Sequence, residues 1–175
     1  MQDLVRKKRI MKRATKILIC LIWITGCSSA DSSSKKSNTN DEPELARQDS
    51  ILITGWYYIV DSDSGYRRQL EMDTLFYFID PTPIVSVKHF TTLEVTENKW
   101  HDAMLVIRFD KKGTKAWSEA TKKYIGKQLA LIIDNKLIVT PEVNSQITGG
   151  VSALGTAWYT KQDLEKFKAI IEKEK

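Results

Sequence analysis

Cysteine is scarce in this sequence, and both copies lie near the amino terminus. Of the 175 residues only Cys20 and Cys27 are cysteines, so residues 28–175 contain none. That stretch cannot hold a disulfide, a zinc site built from thiolates or a cysteine nucleophile. Bulk for an apolar core is available instead from four tryptophans after residue 50: Trp56, Trp100, Trp117 and Trp158.

Residues that commonly carry catalysis or bind metal are also few. The two histidines, His89 and His101, have no ligand-like neighbour at a useful spacing, and His101 with Asp102 fits a surface loop. No serine lies in a Gly-x-Ser-x-Gly nucleophile elbow. The pair Gly149-Gly150 lacks the lysine of a phosphate-binding loop and fits a turn or bulge. The sequence therefore predicts a binding or structural module rather than an enzyme, with no cofactor and no metal site.

The apolar run near the amino terminus is too short to cross a membrane. It covers about nine residues, 17–25, whereas a helix that rises about 1.5 Å per residue needs about 20 to span a hydrocarbon core of about 30 Å. Seven Lys or Arg residues precede it. A positive front end followed by a short apolar run is typical of a signal peptide.

The end of this run carries a processing motif. The residues Ile24-Thr25-Gly26-Cys27 resemble the bacterial lipobox, in which the signal is cut before a cysteine that becomes acylated. The resemblance implies a signal peptide over residues 1–26 and lipid attachment at Cys27. Several acyl chains anchor a protein firmly, since each buried CH₂ contributes roughly 0.8 kcal/mol. A plain secretory signal followed by a chance cysteine is the alternative.

An excess of positive charge is absent once the signal is set aside. The formal net charge of the chain is +5, with 27 basic and 22 acidic residues. Residues 1–27 hold seven of the basic residues and one of the acidic ones, which leaves 20 and 21 in the remainder. No basic stripe interleaved with aromatic residues is present there, so nucleic acid is not a predicted partner.

The segment after the signal is polar, and the rest suits a single domain. Residues 27–49 are rich in Ser, Asn, Lys and Asp and hold too little apolar surface to offset the entropy of ordering, so we predict a flexible tether. Ser28, rather than Asp, after the acylated position favours the periplasmic face of the outer membrane in a Gram-negative cell envelope. Residues 50–175 have the length of one ordinary domain.

Residue patterns in this domain predict an α+β fold. One helix is expected from a cap at Asp110 to Gly126, and a second after Thr160, which with Asp163 has capping-box spacing. The pair Asp134-Asn135 is expected to turn a β-hairpin. "SDSGYRR" reads as a turn. Extended segments are predicted at 51–61, 74–80, 83–98, 103–110 (a central strand buried on both sides), in the hairpin 128–141 and towards residue 158. The prediction is a mostly antiparallel sheet with two packed helices.

A longer stretch resembles a known family. Residues 106–150, "VIRFDKKGTKAWSEATKKYIGKQLALIIDNKLIVTPEVNSQITGG", resemble the head subdomain of the first periplasmic domain of SecD, and a looser likeness runs over about residues 80–172. Asn135 departs from the family's usual glycine in the hairpin, and Ala153-Leu154-Gly155 departs from its second Ile-Thr-Gly. The positions that match the family pattern are Phe109, Gly113, Thr121, Gly126, Lys127, Asp134, Pro141, Ile147, Gly149 and Gly150.

The resemblance implies a role but not a transporter. SecD's membrane helices have no counterpart in these residues, so its proton-coupled machinery is not carried over. What the resemblance implies is a head that engages unfolded or secreted polypeptide, or one envelope protein, while Cys27 holds it to a lipid bilayer. Strand addition to a sheet edge, with Trp56, Tyr57 or Trp158 gripping apolar side chains, is a plausible mechanism. Core packing is the preferred interpretation of each aromatic, and a passive structural or assembly subunit is the alternative function.

Overall fold

The computed structural model describes residues 50–97, 102–155 and 159–175. The expected signal peptide, the tether and Cys27 lie outside these described residues, as do Trp100, His101 and Trp158. The elements follow in the order β1 (Gly55–Val60), β2 (Tyr66–Gln69), β3 (Phe76–Ile79), β4 (Val85–Ser86), a 3₁₀ helix (Val87–His89), β5 (Phe90–Glu97), β6 (Ala103–Phe109), α1 (Lys111–Lys123), β7 (Leu129–Ile133), β8 (Lys136–Val139), β9 (Val151–Gly155) and α2 (Lys161–Glu174).

The α+β prediction is confirmed, but the strands form two antiparallel sheets instead of one. The larger sheet has the order β2-β3-β1-β7-β8, with β4 also paired to β1. The smaller sheet has the order β5-β6-β9. Both helices pack on this framework: α1 contacts β4 and β6, and α2 contacts β5, β6 and β7.

The larger sheet curls until its two edges meet. Leu70, directly after β2, forms a bridge with Leu137 of β8, and the Glu71 amide donates to the Leu137 carbonyl at 3.0 Å. The curled interior holds its own cluster of buried side chains. This interior cluster consists of Leu52, Tyr57, Ile79, Ala130, Ile132 and Leu137.

The main core lies between the outer face of the larger sheet and the inner face of the smaller one. Strand β7 serves both clusters, because successive side chains of a strand point to opposite faces. Its residues 129, 131 and 133 enter the main core, whereas 130 and 132 enter the interior cluster. The helices add Trp117 from α1 and Leu164 and Ile171 from α2, all buried.

The expectation that residues 103–110 form a strand buried on both faces is wrong. In β6, Leu105 and Ile107 are fully buried, but Met104 and Val106 are only half-buried and Arg108 is exposed. Strand β7 is the one buried throughout. The reason is layering: the smaller sheet packs one face on the core, whereas β7 has apolar clusters on both of its faces.

Two further corrections concern the first half of the domain. The segment 66–69, expected to be part of a turn, is strand β2, and the residues from 90 form one continuous eight-residue strand rather than short pieces. Arginines are unusual in a half-buried strand, yet here both have partners. The Arg67 guanidinium stacks over the Phe76 ring at 3.9 Å, and Arg68 donates to the carbonyls of Ser50 and Asn135.

The sequence-based predictions of the two helix caps and the hairpin turn are confirmed. The Asp110 carboxylate accepts from the Gly113 amide at 2.7 Å and caps α1. Thr160 and Asp163 form a reciprocal capping box at the start of α2. Helix α1 ends at Lys123, before Gly126, whose φ of +76° belongs to the turn that follows. Asp134 and Asn135 have φ of 50° and 62°, as a tight hairpin turn requires.

Candidate functional site

Strand β9 is an edge of the smaller sheet. It pairs with β6 and with no other strand of the described residues. The Phe109 amide donates to the Gly150 carbonyl at 2.9 Å. In an antiparallel pair the bonded residues alternate, so Ser152 continues the bonding towards β6, while the amide and carbonyl groups of Ala153 and Gly155 point away from it. Among the described residues, the outward backbone groups of Ala153 and Gly155 have no hydrogen-bond partner, so these two residues offer a backbone edge.

A groove of about 390 Å³ lies beside this edge. Its near wall is β9 from Ala153 to Gly155, and its far wall is the end of β8 with Pro141. The connection between β2 and β3 closes one side with a mostly apolar set of side chains. We call this hollow the β9 groove; the apolar residues from that connection and from β3 are Leu70, Met72, Leu75 and Tyr77.

Exposed apolar side chains form the rim of the β9 groove. Met72 is 56% exposed and Leu75 53%, and the adjacent Phe76 is 45% exposed. Large apolar side chains are exposed singly on most proteins, but a group of them around a concave apolar surface indicates a binding site. The backbone of this rim is held in place, since the Leu70 amide donates to the Leu75 carbonyl at 2.9 Å.

A second hollow, of about 290 Å³, continues along β9. We call it the tryptophan cleft, because Trp56 and Trp117 lie at its base with ring centroids 4.9 Å apart. Pro141 and Ala153 line both hollows. The two hollows therefore border the same stretch of β9, and we refer to them together as the trough.

Helix α1 and the segment after β8 build the outer wall of the tryptophan cleft. Thr121 accepts a hydrogen bond from the Ile147 amide at 2.9 Å and donates one to the Trp117 carbonyl at 2.9 Å. The Gly126 amide donates to the Val143 carbonyl at 2.8 Å, and the Val143 amide donates to the Lys127 carbonyl at 2.9 Å. These bonds fix the segment that carries Pro141 at its start.

The two tryptophans anchor β9 from inside the fold. The Trp56 Nε1 donates to the Ser152 Oγ at 3.0 Å, and the Trp117 Nε1 donates to the Val151 carbonyl at 3.2 Å. The Val151 carbonyl points away from β6, as the alternation of hydrogen bonds in an antiparallel pair requires. The available edge is therefore limited to Ala153 and Gly155, on the side of the β9 groove.

The charged lining of the trough is acidic. Asp73 is the charged residue of the β9 groove and Glu142 that of the tryptophan cleft, with no Lys or Arg among the described residues that line either. The Asp73 Oδ1 accepts from the Thr74 amide at 2.6 Å. Both acidic side chains are exposed. The charge of both hollows therefore favours an occupant with positive charge.

The aromatics proposed as grips are core residues where the structure describes them. Trp56 is 2% exposed and Tyr57 is 0% exposed, so neither grips a ligand, and core packing is confirmed for both. The Tyr57 hydroxyl donates to the Ile53 carbonyl at 2.6 Å. Burial raises the pKa of Tyr57 to about 12, and the negative charge of Glu174 adds to the effect, while Arg68 opposes it. Trp158 lies outside the described residues.

The residues that match the family pattern support the trough rather than form a polar site. Phe109 and Gly113 lie in the contact between β6 and α1, where a Cβ on Gly113 would come within 3.0 Å of Phe109 and His89 side chains. Gly150 has a φ of +63°, and a Cβ there would collide with Thr114. Gly149 is free of such a contact. Of the pattern positions, Thr121, Pro141 and Ile147 line the trough directly.

One polar pair was missed by the sequence analysis. His89 Nδ1 lies 2.9 Å from Asp110 Oδ2, where the 3₁₀ helix meets the start of α1. The Gly113 amide and the His89 side chain hold the pKa of the Asp110 carboxyl below its usual value. Among the described residues no group of three or more His, Cys, Asp or Glu side chains could hold a metal ion. Over the same residues, no helix combines the length and apolarity needed to cross a membrane.

The rim residues of the β9 groove were also missed. Met72 and Asp73 precede the predicted strand 74–80 and Leu75 lies within it, and nothing in their spacing marks them as a site. The available signal is two large apolar residues in a loop, where polar residues are usual. Their meeting with β8 and β9 depends on the closure of the larger sheet and on the packing of one sheet on the other.

Comparison with known proteins identifies the head subdomain as the matching unit. The profile of the SecDF P1 head subdomain matches residues 63–171. The protein translocase subunit SecD of Rickettsia typhi is 34% identical over 102 residues, which cover 58% of this chain and 17% of that protein. The chain thus matches a small part of the length of this relative.

Solved structures agree on the fold. The structure titled "Crystal structure of SecDF in Super-membrane-facing form" aligns with a TM-score of 0.56 at 13% identity, covering 77% of this chain and 21% of that one. A second, titled "Structure and function of a membrane component SecDF that enhances protein export", aligns with a TM-score of 0.54 at 13% identity and covers 80% of this chain and 70% of that one.

Proposed function

The chain belongs to the family of the SecDF P1 head subdomain, and on that premise we propose that it is a lipid-anchored protein of the cell envelope whose head domain binds extended polypeptide and so assists protein export. Its relative in Rickettsia typhi is a subunit of the protein translocase, and one structural neighbour is described as enhancing protein export. The family supports an extracytoplasmic location related to the export machinery. Polypeptide binding and the anchor are the finer parts of the proposal.

The trough beside β9 is the observation that carries the binding proposal. A chain that emerges unfolded exposes both backbone amides and apolar side chains. The edge at Ala153 and Gly155 offers backbone partners for the amides, and the β9 groove offers apolar surface for the side chains. Strand addition combines these two contacts, since main-chain hydrogen bonds supply affinity without requiring one sequence.

Photo-crosslinking in the native host tests this binding. A photo-reactive amino acid is placed at residue 72 or 75, on the rim of the β9 groove, and in a matched control at residue 172, an exposed position on α2. We expect translocase subunits or a broad set of secreted precursors to be captured from the rim but not from the control. Equal capture at all three positions contradicts a binding site at the groove.

A different outcome would point to the alternative function. Capture of one envelope protein from the rim, in stoichiometric yield, means that the head serves as a structural or assembly module for a dedicated partner. The polypeptide-binding proposal would then be dropped. The comparison between rim and control positions distinguishes both outcomes from non-specific crosslinking.

The lipid anchor at Cys27 has its own test. The proposal rests on the lipobox resemblance of residues 24–27, and Cys20 provides a matched control within the same apolar run. We expect an alkyne-labelled fatty acid to be incorporated into the wild-type chain and into Cys20→Ser, but not into Cys27→Ser. Labelling of Cys27→Ser at the wild-type level rules out this anchor.

A further inference from the structure

The free edge of β9 is short, which limits what can bind to it. Outward backbone groups are available at Ala153 and Gly155, and neither residue has a hydrogen bond on that side to any residue that the structure describes. Towards the start of the strand, the Val151 carbonyl is already bonded to Trp117. An added strand therefore gains its backbone bonds over about two residues of β9. Such a short ladder makes the side chains of the occupant decisive for affinity.

The position of an added strand places its side chains in the trough. Neighbouring strands lie about 4.8 Å apart, so a strand beside Ala153 enters the space between β9 and Pro141. Alternate side chains of that strand then face Leu70, Leu75 and Tyr77. These contacts favour apolar residues at every second position of the occupant, since successive side chains point to opposite faces.

Charge selects among such occupants. Asp73 and Glu142 belong to the two hollows on either side of the shared residues Pro141 and Ala153. Among the residues described by the structure, neither carboxylate makes an ion pair. In contrast, the nearby Glu71 is paired with Lys136 at 3.5 Å. The trough thus presents two unneutralised negative charges and an apolar floor.

We propose that the trough selects basic, alternately apolar polypeptide segments, which add to β9 as a further strand with Lys or Arg side chains near Asp73 and Glu142. This inference rests on the proposed function and names its substrate class. It excludes acidic extended segments as good ligands. The affinity for basic segments falls as salt concentration rises, because exposed ion pairs are screened.

Three labelled peptides of equal length test the charge preference. Each peptide has valine at alternate positions, with Lys, Gln or Glu between the valines. Binding to the full chain in a neutral detergent is measured by fluorescence anisotropy, and the same detergent without protein is the blank. We expect the Lys peptide to bind most tightly and the Glu peptide most weakly. Because exposed ion pairs are individually weak, a difference of about two- to tenfold between the Lys and Gln peptides is expected.

Variants of Asp73 and Glu142 test whether the preference for the Lys peptide arises at the trough. The double variant Asp73→Asn/Glu142→Gln is expected to bring the Lys and Gln peptides to equal affinity. The matched control Asp63→Asn/Glu172→Gln removes two exposed carboxylates elsewhere, at the opposite end of the β2–β3 hairpin and on α2. It is expected to keep the preference. The assignment to the trough is overturned if only the control double variant loses the preference for the Lys peptide. It is also overturned if both double variants keep that preference.

Two observations test strand addition itself. Ala153→Pro removes an outward amide of β9 and is expected to weaken all three peptides, with tryptophan fluorescence confirming the fold. If that variant does not fold, strand addition is tested with two forms of the Lys peptide instead. The two forms are N-methylated on alternate sets of backbone amides. Only one set faces β9, so one form is expected to bind and the other to fail; equal binding by both overturns strand addition.

The outcomes separate this inference from the proposed function. If rim crosslinking captures secreted precursors but the three peptides bind equally, polypeptide binding stands and the charge preference is wrong. If the peptides do not bind and the rim captures no precursor, both proposals fail.

Discussion

Strands β7 and β9 have the same length but opposite surroundings. Strand β7 is buried along all five residues, lies between β1 and β8, and contributes side chains to both apolar clusters. Strand β9 alternates between buried and exposed side chains and pairs with β6 only. One strand has its backbone and both faces satisfied by the fold, while the other keeps part of its backbone edge and one face available.

The difference separates the strand that stabilises the fold from the strand at which we propose binding. Burial of apolar surface along β7 and the clusters on its two faces stabilises the fold. Edge strands invite pairing with other chains, and proteins usually protect them. Here β9 is short and anchored by Trp56 and Trp117, so that the unpaired part is limited to Ala153 and Gly155. A short edge within a trough can accept a segment without promoting uncontrolled association.

The same substitution in both strands gives the sharpest test. Ala130 lies opposite Tyr57 of β1 and is fully buried. We expect Ala130→Pro to lower the free energy of unfolding by about 3–6 kcal/mol, because it removes a ladder bond, leaves a buried carbonyl unsatisfied and overpacks the interior cluster. Ala153→Pro is expected to cost about 1 kcal/mol or less, since proline is tolerated where the amide faces outward on an edge. Urea unfolding measures both; similar losses would contradict the comparison.

Adjacent glycines at the start of β9 provide the next test. Gly150 has a φ of +63°, and its Cβ would meet Thr114 of α1, whereas the nearest neighbour of a Cβ on Gly149 is 3.9 Å away. Gly150→Ala is expected to cost about 2–4 kcal/mol from backbone strain and steric overlap. Gly149→Ala is expected to change stability by less than about 0.5 kcal/mol. Thermal and urea unfolding of the pair check this; equal stability would place the anchor of β9 elsewhere.

The inner attachment of β9 is tested at Ser152. Its Oγ is the acceptor for the buried Trp56 Nε1. Ser152→Ala leaves this donor without its partner and is expected to cost about 1–3 kcal/mol. Ser145→Ala, at an exposed serine that lines the same cleft, is the matched control and is expected to be nearly neutral. An effect of the same size at Ser145 would show that hydroxyl removal, not the bond to Trp56, matters.

Alkaline pH tests the interior cluster next to β7. The pKa of Tyr57 is raised to about 12 from an ordinary value of 10.0, so the folded state retains a proton that the unfolded state loses. The corresponding stability is complete below pH 10 and is lost as the pH rises through 12. Each such tyrosine contributes about 1 kcal/mol of this loss at about pH 11.

Phenylalanine variants identify the tyrosines responsible for the alkaline loss. Tyr57→Phe is expected to reduce the loss of stability between pH 10 and 12 in urea unfolding. Tyr159 is a second contributor, because burial raises its pKa to about 12 as well. The double variant is therefore expected to show a smaller loss than either single variant. An unchanged pH profile in the double variant would contradict the burial of these hydroxyls.

Local sequence signals predicted the elements that depend on neighbouring residues. The Asp110 cap, the Thr160 and Asp163 capping box and the Asp134-Asn135 turn each form within a few residues of chain, so each could be recognised without tertiary information. The α+β class followed from these elements. The family pattern likewise reflected spacing within one continuous stretch, and the profile match confirms it.

Elements that depend on distant partners were not predictable. Strand β2 contains two adjacent arginines, and it forms because Arg67 stacks on Phe76 and Arg68 bonds to Ser50 and Asn135. The division into two sheets has the same origin. Strand β9 joined β6, some 45 residues earlier in the chain, and nothing near residues 151–155 in sequence indicates that pairing.

By itself, the sequence determined the class of fold, the family and the absence of thiol chemistry from residues 28–175, because residue types, local spacing and continuous motifs specify these properties. The tertiary structure alone decided that Trp56 and Tyr57 are core residues, that β7 is the doubly buried strand, and that Met72, Leu75 and Asp73 meet β9 at a groove. These outcomes require apolar surfaces from distant segments to cover one another. Which surface remains uncovered is settled only when all the others have found their partners.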